Sequence, residues 1–192
     1  MSERAKTFDA LYRENADPWK VHTSAYERDK YAATLQALSK PRYDHILEIG
    51  CSIGVMTRAL AMRRGRLLAV DVSDVALRHA RALCTASHVT FRKSEVPDGW
   101  PSGSFDLIVL SEVLYFLDRD EIEACARLTA ASLSVGGELL LVNWTGETTT
   151  SLSGNEAAEV FLTPLHRSGF SMLVHRSEPT YRIDLLGRPS SG

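Results

Sequence analysis

Two acidic residues and a pair of glycines in the sequence form a candidate ligand site. Glu48 is the second-last residue of the apolar run HILEI, and Gly50 and Gly54 follow this run before a helical pattern begins. A second acid, Asp71, ends the next apolar run, 21 residues after Gly50. A carboxylate at this position accepts hydrogen bonds from a ribose diol in doubly wound sheets. The spacing therefore predicts a site for a nucleoside.

The glycine spacing fits neither of the common phosphate-binding loops. A dinucleotide loop needs G-x-G-x-x-G, and Ser52 and Val55 stand where its second and third glycines would be. A Walker loop needs a Lys after its last glycine, and Gly54 is followed by Val55. A nucleoside without phosphate, held by carboxylates, suits a cationic ligand. The sequence therefore predicts S-adenosyl-L-methionine, which carries a sulfonium and an ammonium group.

Each of these features also has a plain structural interpretation. Two glycines four residues apart after a strand can mark only a strand-to-helix turn, and Asp71 can be a cap of the following helix. The two features together, at this spacing, favour the nucleoside site.

A second group of candidates follows the apolar run FDLIVL. Glu112 follows this run after Ser111 and can orient an amine acceptor and receive its proton, while Tyr115 can face the same site. Methyl transfer from a sulfonium is an in-line displacement, in which the protein mainly holds the acceptor near the methyl carbon. The alternatives are a solvated loop acid at Glu112 and a packing role for Tyr115.

Strand and helix patterns alternate along the chain and position these candidates. Strands are predicted at 45–49, 67–72, 89–93, 105–110 and 138–144, with a final hairpin of 170–176 and 180–186. Helices are predicted at 5–15, 25–38, 55–63, 75–86, 119–133 and 155–168, the fifth of them ended by Gly136 and Gly137. Nearly continuous apolar strands predict a mostly parallel α/β sheet covered by helices on both faces, with an antiparallel edge.

The overall composition argues against several classes of binding partner. The 192 residues carry a formal net charge of −2, which gives no electrostatic case for nucleic-acid or membrane binding. The three cysteines include no C-x-x-C pair, and no cluster has metal-ligand spacing, so we expect no metal. The polar first residues and the lack of a long apolar run predict neither a signal peptide nor a membrane span. A cytoplasmic protein is expected.

The N-terminal segment is unusually aromatic, with Trp19, Tyr26 and Tyr31. It can be a lid that excludes water from the site, with Arg28 pairing the methionine carboxylate. The alternative is an amphipathic helix packed on the sheet. At the other end of the chain, Trp144 can stack on a sugar face or pack in the core.

Five segments in order resemble the class I methyltransferase family. They are LEIGCSIG, LLAVDVS, RKSEVP, FDLIVLSEVLYFL and LSVGGELLLVNW, and the first departs from the usual acid-x-G-x-G-x-G at Ser52. The resemblance implies a Rossmann-like fold with a seven-stranded sheet, and places Glu95 and the Val96 N–H at the adenine. It implies a single domain over 1–192, with a helical lid at 1–40, a core at 44–186 and a flexible tail at 187–192.

The donor-binding residues that we predict come from these motifs and from the aromatic N-terminal segment. They are Glu48, Gly50, Cys51, Ser52, Gly54, Asp71, Val72, Glu95, Val96, Ser111, Arg28 and Trp19. Glu112 and Tyr115 are the predicted catalytic residues.

A closer resemblance, carried by DPWKVHTSAYERDKY and SEVLYFL, is to the nodulation protein S (NodS) family. That family N-methylates the deacetylated end glucosamine of a chitooligosaccharide, which implies an oligosaccharide or small-molecule acceptor. A methyltransferase of another metabolite or of a sugar hydroxyl, and a nucleoside-binding paralogue without catalysis, stay open. A nucleic-acid methyltransferase is disfavoured, because Ser111-Glu112-Val113-Leu114 stands in place of an N-P-P-Y-type motif.

Overall fold

Helices and strands alternate through the residues that the structure, a computed structural model, describes, which are 2–63 and 65–189. The helices are α1 Glu3–Glu14, α2 Ala25–Ala37, α3 Val55–Leu60, α4 Asp74–Leu83, α5 Arg119–Ser132 and α6 Gly154–Arg167. The strands are β1 His45–Ile49, β2 Arg66–Asp71, β3 Val89–Lys93, β4 Phe105–Ser111, β5 Leu133–Trp144, β6 Ser171–Ser177 and β7 Tyr181–Gly187. Short 3-10 helices follow α3 at Ala61–Arg63 and β4 at Leu114–Phe116.

Side-chain caps fix where most of these helices begin. A Ser or Asp at the N-cap accepts a hydrogen bond from the backbone N–H three residues further on at the starts of α1, α2, α4, α5 and α6. Glutamates at the third position of α5 and α6 complete capping boxes. The exception is α3, whose N-cap Gly54 has no side chain to offer.

The strands form one sheet in the order β3-β2-β1-β4-β5-β7-β6. β1 pairs with β2, β2 with β3, and β4 with β5, all in parallel. β7 runs antiparallel to β5, and the edge strand β6 pairs antiparallel with β7. The predicted Rossmann-like α/β fold and its closing hairpin are confirmed, and the reversed strand, β7, lies one position in from the edge.

The middle strands hold the core. Leu107–Leu110 of β4 and Leu139–Val142 of β5 are fully buried, on both faces of each strand. Continuous burial of this kind needs a layer on each side of the sheet, which is the packing that parallel strands require.

The boundary between α5 and β5 differs most from the sequence-based prediction. α5 ends at Ser132, and Leu133 already begins β5, so Gly136 and Gly137 lie inside a strand instead of ending a helix. The pairing of β4 with β5 shifts register here, from Phe105↔Leu133 to Leu107↔Glu138. Gly136 adopts a positive φ of 68° at this irregularity, a conformation that glycine accepts readily.

Contacts between Cα atoms group the chain into two compact units, Met1–Glu95 and Val96–Gly192. Doubly wound sheets are built from two halves, so a division of the chain between β3 and β4 is expected for this fold. The single domain over 1–192 stays a prediction. Within the predicted tail, β7 extends to Gly187, and residues 190–192 lie outside the described residues.

Candidate functional site

The loop after β1 alternates left-handed backbone with ordinary backbone. Gly50, Ser52 and Gly54 have φ values of 78°, 51° and 84°. This alternation explains why the methyltransferase motif usually carries three glycines, since other residues pay about 1–2 kcal/mol for this conformation. Gly54 has a second constraint, because a Cβ there would lie 2.9 Å from the Cα of Ala80 in α4.

Asp71 joins the glycine loop to the turn after β2. Its Oδ2 accepts the Ser52 N–H at 2.8 Å and its Oδ1 accepts the Ser73 N–H at 2.9 Å. Burial raises the pKa of the Asp71 carboxyl to about 6, although these N–H groups oppose the shift. Ser73 caps α4, so the interpretation of Asp71 as the helix cap is wrong.

Glu48 is the more isolated of the two buried acids. Its Oε2 is fully buried and has no hydrogen-bond partner among the described residues. Burial raises the pKa of the Glu48 carboxyl to about 8, and the negative charge of Asp71 adds to the shift. A carboxyl in this state gains most from a cation, because the cation restores its ionised form.

Helix α1 is tied to the glycine loop and to the first turn of α4. The hydroxyl oxygens of Tyr12 and Ser52 lie 2.6 Å apart. Asp9 accepts the Ser73 hydroxyl at 2.6 Å and the Val75 N–H at 3.3 Å. Burial alone would raise the pKa of Asp9, but these hydrogen bonds outweigh it and lower the pKa. These contacts hold α1 against the glycine loop and the start of α4, and the lid at 1–40 stays a prediction.

Two further contacts involve predicted donor residues in the first unit. Arg4 of α1 forms an ion pair with Glu95 at 3.2 Å, so the residue predicted to meet adenine already contacts the N-terminal helix. The ring of Trp19, 41% exposed, packs against the rings of Phe8 and Tyr12. Trp19 is therefore part of an aromatic layer over Ile53 of the glycine loop, which also packs against Tyr12.

For three other predicted donor residues, the structure gives mainly the degree of burial. Arg28 lies on the exposed side of α2, whereas Glu27 and Lys30 are buried and form an ion pair at 2.9 Å. Cys51 is buried, and burial raises the pKa of its thiol, which makes it unreactive. Val72 is half-buried in the turn that follows Asp71. The roles of these residues stay predictions.

In the second unit, the end of β4 carries the two predicted catalytic residues. Glu112 has a positive φ of 59°, and its N–H donates to the Val142 carbonyl of β5 at 2.8 Å. The Tyr115 hydroxyl donates to Glu112 Oε2 at 3.1 Å. Left-handed backbone at a glutamate is strained, and such strain concentrates at functional sites. The structure thus brings Glu112 and Tyr115 together, with Ser111 half-buried beside them and Val96 buried at the start of the unit.

Sequence reasoning missed Asp9 and Tyr12, which tie α1 to the glycine loop and to Ser73, the N-cap of α4. A signal was present in the spacing of Asp9 and Tyr12, three residues apart and hence on one face of a helix. Neither residue type is diagnostic alone, and their partners lie 40 to 64 residues away in the chain.

The described residues offer neither a metal-binding cluster nor a membrane-spanning helix. Among residues 2–63 and 65–189, no three His, Cys, Asp or Glu side chains are grouped so that they could hold a metal ion. No helix in the same ranges has both the length and the apolar character needed to cross a bilayer.

The strand order and the donor loops described above are those of the class I methyltransferase fold. NodS N-methyltransferase from Bradyrhizobium japonicum WM9, solved in complex with S-adenosyl-L-homocysteine, superposes with a TM-score of 0.82 at 24% identity, covering 96% of this chain and 99% of that one. That bound product agrees with the predicted donor.

The chain belongs to the nodulation protein S (NodS) family, whose sequence profile matches residues 4–165. Nodulation protein S of Bradyrhizobium diazoefficiens is 37% identical over 115 residues, which are 58% of this chain and 54% of that protein. Its counterpart in Sinorhizobium fredii is 33% identical over 119 residues, 60% of this chain and 55% of that protein. The chain thus matches about half the length of these curated relatives. The predicted family is confirmed.

Proposed function

We propose that this protein is an S-adenosyl-L-methionine-dependent methyltransferase. The observation that carries the proposal is the pair of buried acids, Glu48 and Asp71, at the carboxyl ends of the neighbouring parallel strands β1 and β2. Both carboxyls have pKa values raised by burial, so both gain from a ligand with positive charge. Three buried free cysteines in the described chain fit action in the cytoplasm.

We propose that different residues of the first unit bind different parts of the donor. Asp71 already accepts two backbone N–H groups, and each carboxylate oxygen keeps lone pairs that a ribose diol can use. Glu48 supplies negative charge toward the cationic part of the donor. Glu95 serves the adenine, and α1, through Tyr12, holds the glycine loop in place. The Val96 N–H, which we also propose at the adenine, belongs to the residue that begins the second unit.

The acceptor we propose is the amino group of an amino sugar or chitooligosaccharide. The family relation and the pairing of Glu112 with Tyr115 support it. When bound, the donor supplies an electrophilic methyl group on a sulfonium, and the amine lone pair forms the new C–N bond as the C–S bond breaks. Glu112 orients the amine and receives the proton that it loses, while Tyr115 fixes the carboxylate through its hydrogen bond.

Calorimetry with S-adenosyl-L-homocysteine tests the donor site. We expect micromolar binding, about −8 kcal/mol. Asp71→Asn should weaken binding by about 1.5–3 kcal/mol, because it removes charge and one acceptor from a hydrogen-bonded position. Asp74→Asn is the matched control, since that carboxylate points to Lys93 at 2.7 Å and is half exposed. Absence of binding to the wild-type protein would contradict the methyltransferase proposal.

Turnover with labelled donor tests the acceptor. De-N-acetylated chitooligosaccharide should be methylated, and the fully N-acetylated oligosaccharide should not, because an amide nitrogen has no free lone pair. Binding of S-adenosyl-L-homocysteine without turnover of the deacetylated oligosaccharide would leave the donor site standing and contradict the proposed acceptor.

A further inference from the structure

Asn143, the second-last residue of β5, has an unusual environment. Its side chain is 0% exposed, and neither Oδ1 nor Nδ2 has a hydrogen-bond partner among the described residues. Buried amides are nearly always paired in folded proteins, so an amide with both ends unpaired calls for an explanation.

The polar side chain beside Asn143 is fully used by other partners. Arg182 of β7 is the register partner of Asn143, and paired residues of antiparallel strands project to the same face of the sheet. Arg182 donates to Asp184 through Nε at 2.8 Å and Nη2 at 3.1 Å, and to Glu159 through Nη1 at 2.8 Å. The Arg182 guanidinium donates to these two carboxylates and does not form a hydrogen bond with the amide of Asn143.

Asn143 also lies where an acceptor would be recognised. It follows Val142, whose carbonyl accepts the N–H of Glu112, so the two residues occupy neighbouring strand ends. Helix α6 covers this side: a Cβ on Gly154 would lie 3.5 Å from the Cβ of Asn143. The 3-10 turn Leu114–Phe116, which contains Tyr115, packs on α6 as well. Asn143 and the Glu112–Tyr115 pair therefore border the same helix.

Alternation along β5 separates Asn143 from its neighbour Trp144. Successive residues of a strand project to opposite faces, so these two side chains do not share a surface. The Trp144 indole donates to the Glu147 carbonyl at 3.4 Å, and its ring lies against Gly146. Of the two polar side chains at the end of β5, only Asn143 lies on the face covered by α6.

We propose that Asn143 is a specificity-determining residue that binds hydroxyl groups of the methyl acceptor. An amide has two N–H donors and a carbonyl acceptor, which match adjacent sugar hydroxyls, since each of these both donates and accepts. The inference rests on the proposed function for the identity of the acceptor. Because Asn143 is fully buried, the proposal includes a movement of residues 145–153, which have no helix or strand and connect β5 to α6, when the acceptor binds.

The variant Asn143→Leu tests the inference with two measurements, because leucine has nearly the same shape and no polar atoms. First, kcat/KM for de-N-acetylated chitooligosaccharide should fall by about tenfold or more, while the Kd for S-adenosyl-L-homocysteine should stay within about twofold of the wild-type value. Second, the Tm of the ligand-free protein should rise by about 2–4 °C, because an unpaired buried amide is removed.

Thr129→Val is the matched control. Thr129 of α5 is also fully buried, and its Oγ1 also lacks a partner among the described residues, yet it lies in a helix just before the start of β5, whereas Asn143 lies near the end of that strand. We expect this variant to keep wild-type kcat/KM. A lower or unchanged Tm for Asn143→Leu would overturn the inference, as would a wild-type kcat/KM. If the wild-type protein does not methylate the oligosaccharide, the proposed acceptor fails and the inference fails with it, whereas wild-type kcat/KM of Asn143→Leu on a methylated acceptor overturns the inference alone.

Discussion

The phenol oxygen of Tyr12 and the hydroxyl oxygen of Ser52 lie 2.6 Å apart, and this contact joins α1 to the glycine loop. Ser52 stands where the methyltransferase motif usually has glycine, and it adopts a φ of 51°. The backbone strain is offset locally, because the Ser52 N–H also donates to Asp71. A hydroxyl at this point thus fastens the N-terminal helix to the loop, which glycine cannot do.

A double-mutant cycle measures this contact. Tyr12→Phe and Ser52→Ala each remove one hydroxyl, and alanine keeps the Cβ, so the left-handed strain stays the same in both backgrounds. We expect a coupling free energy of about 1 kcal/mol in urea unfolding, the usual value of a buried hydrogen bond. Additive losses, with no coupling between the two changes, would show that the hydroxyls do not stabilise each other in solution.

The pH dependence of stability should report the buried acid Glu48. Its folded-state pKa of about 8 exceeds the ordinary carboxyl value, so the folded protein holds a proton that the unfolded chain releases. The free energy of unfolding should therefore fall as the pH rises from 5 to 9, by at most about 1.4 kcal/mol per pH unit for this one proton. Asp71, with a pKa of about 6, contributes in the same direction at lower pH.

Glu48→Gln isolates the contribution of this carboxyl. Glutamine cannot ionise, so the decline with pH should become shallower, and the variant should be more stable than the wild type at pH 9. Glu14→Gln, at the exposed end of α1, should follow the wild-type curve. Denaturation by urea at five pH values gives the comparison. Parallel curves for Glu48→Gln and the wild type would mean that Glu48 is ionised in the folded protein throughout.

Glu112→Gln tests the acceptor chemistry. Turnover should fall by about 10²-fold, the usual effect of losing a positioned proton acceptor. Donor affinity measured with S-adenosyl-L-homocysteine should hardly change, because the donor residues lie mainly in the first unit. Glutamine keeps the shape and can still accept from Tyr115, so the loss would come from charge. Glu123→Gln in α5 is the control, and wild-type turnover by Glu112→Gln would remove this residue from the mechanism.

Strand positions were predictable because apolar runs and β-branched residues dominate them. The runs at 45–49, 89–93 and 105–110 agree with the observed strands within one residue. The start of β5 was not predictable from Gly136 and Gly137, since a glycine pair after a helical pattern usually ends the helix. Here the pair accommodates a register shift against β4, which depends on a neighbour that the local sequence does not reveal.

Some residues of the candidate site were also predictable from the sequence, and others were not. Asp71 could be identified as a candidate from the sequence, because a charged residue rarely ends an apolar strand without a structural or functional reason. Asn143 was not, because a single amide before Trp144 has no spacing rule, and only burial shows that both of its polar ends are unpaired. The ties of Asp9 and Tyr12 to the donor loops are contacts between distant parts of the chain, which periodicity does not record.

The position of β7 also affects how the protein is made. β5 pairs with β7 along Glu138–Trp144, and β7 is synthesised after β5, α6 and β6. Until it emerges from the ribosome, one hydrogen-bonding edge of the apolar β5 stays open, and edges of this kind promote aggregation. The family profile ends at residue 165, before β6 and β7. A recombinant protein trimmed to that profile would lack the strand that closes β5, so expression should retain the chain through Gly187.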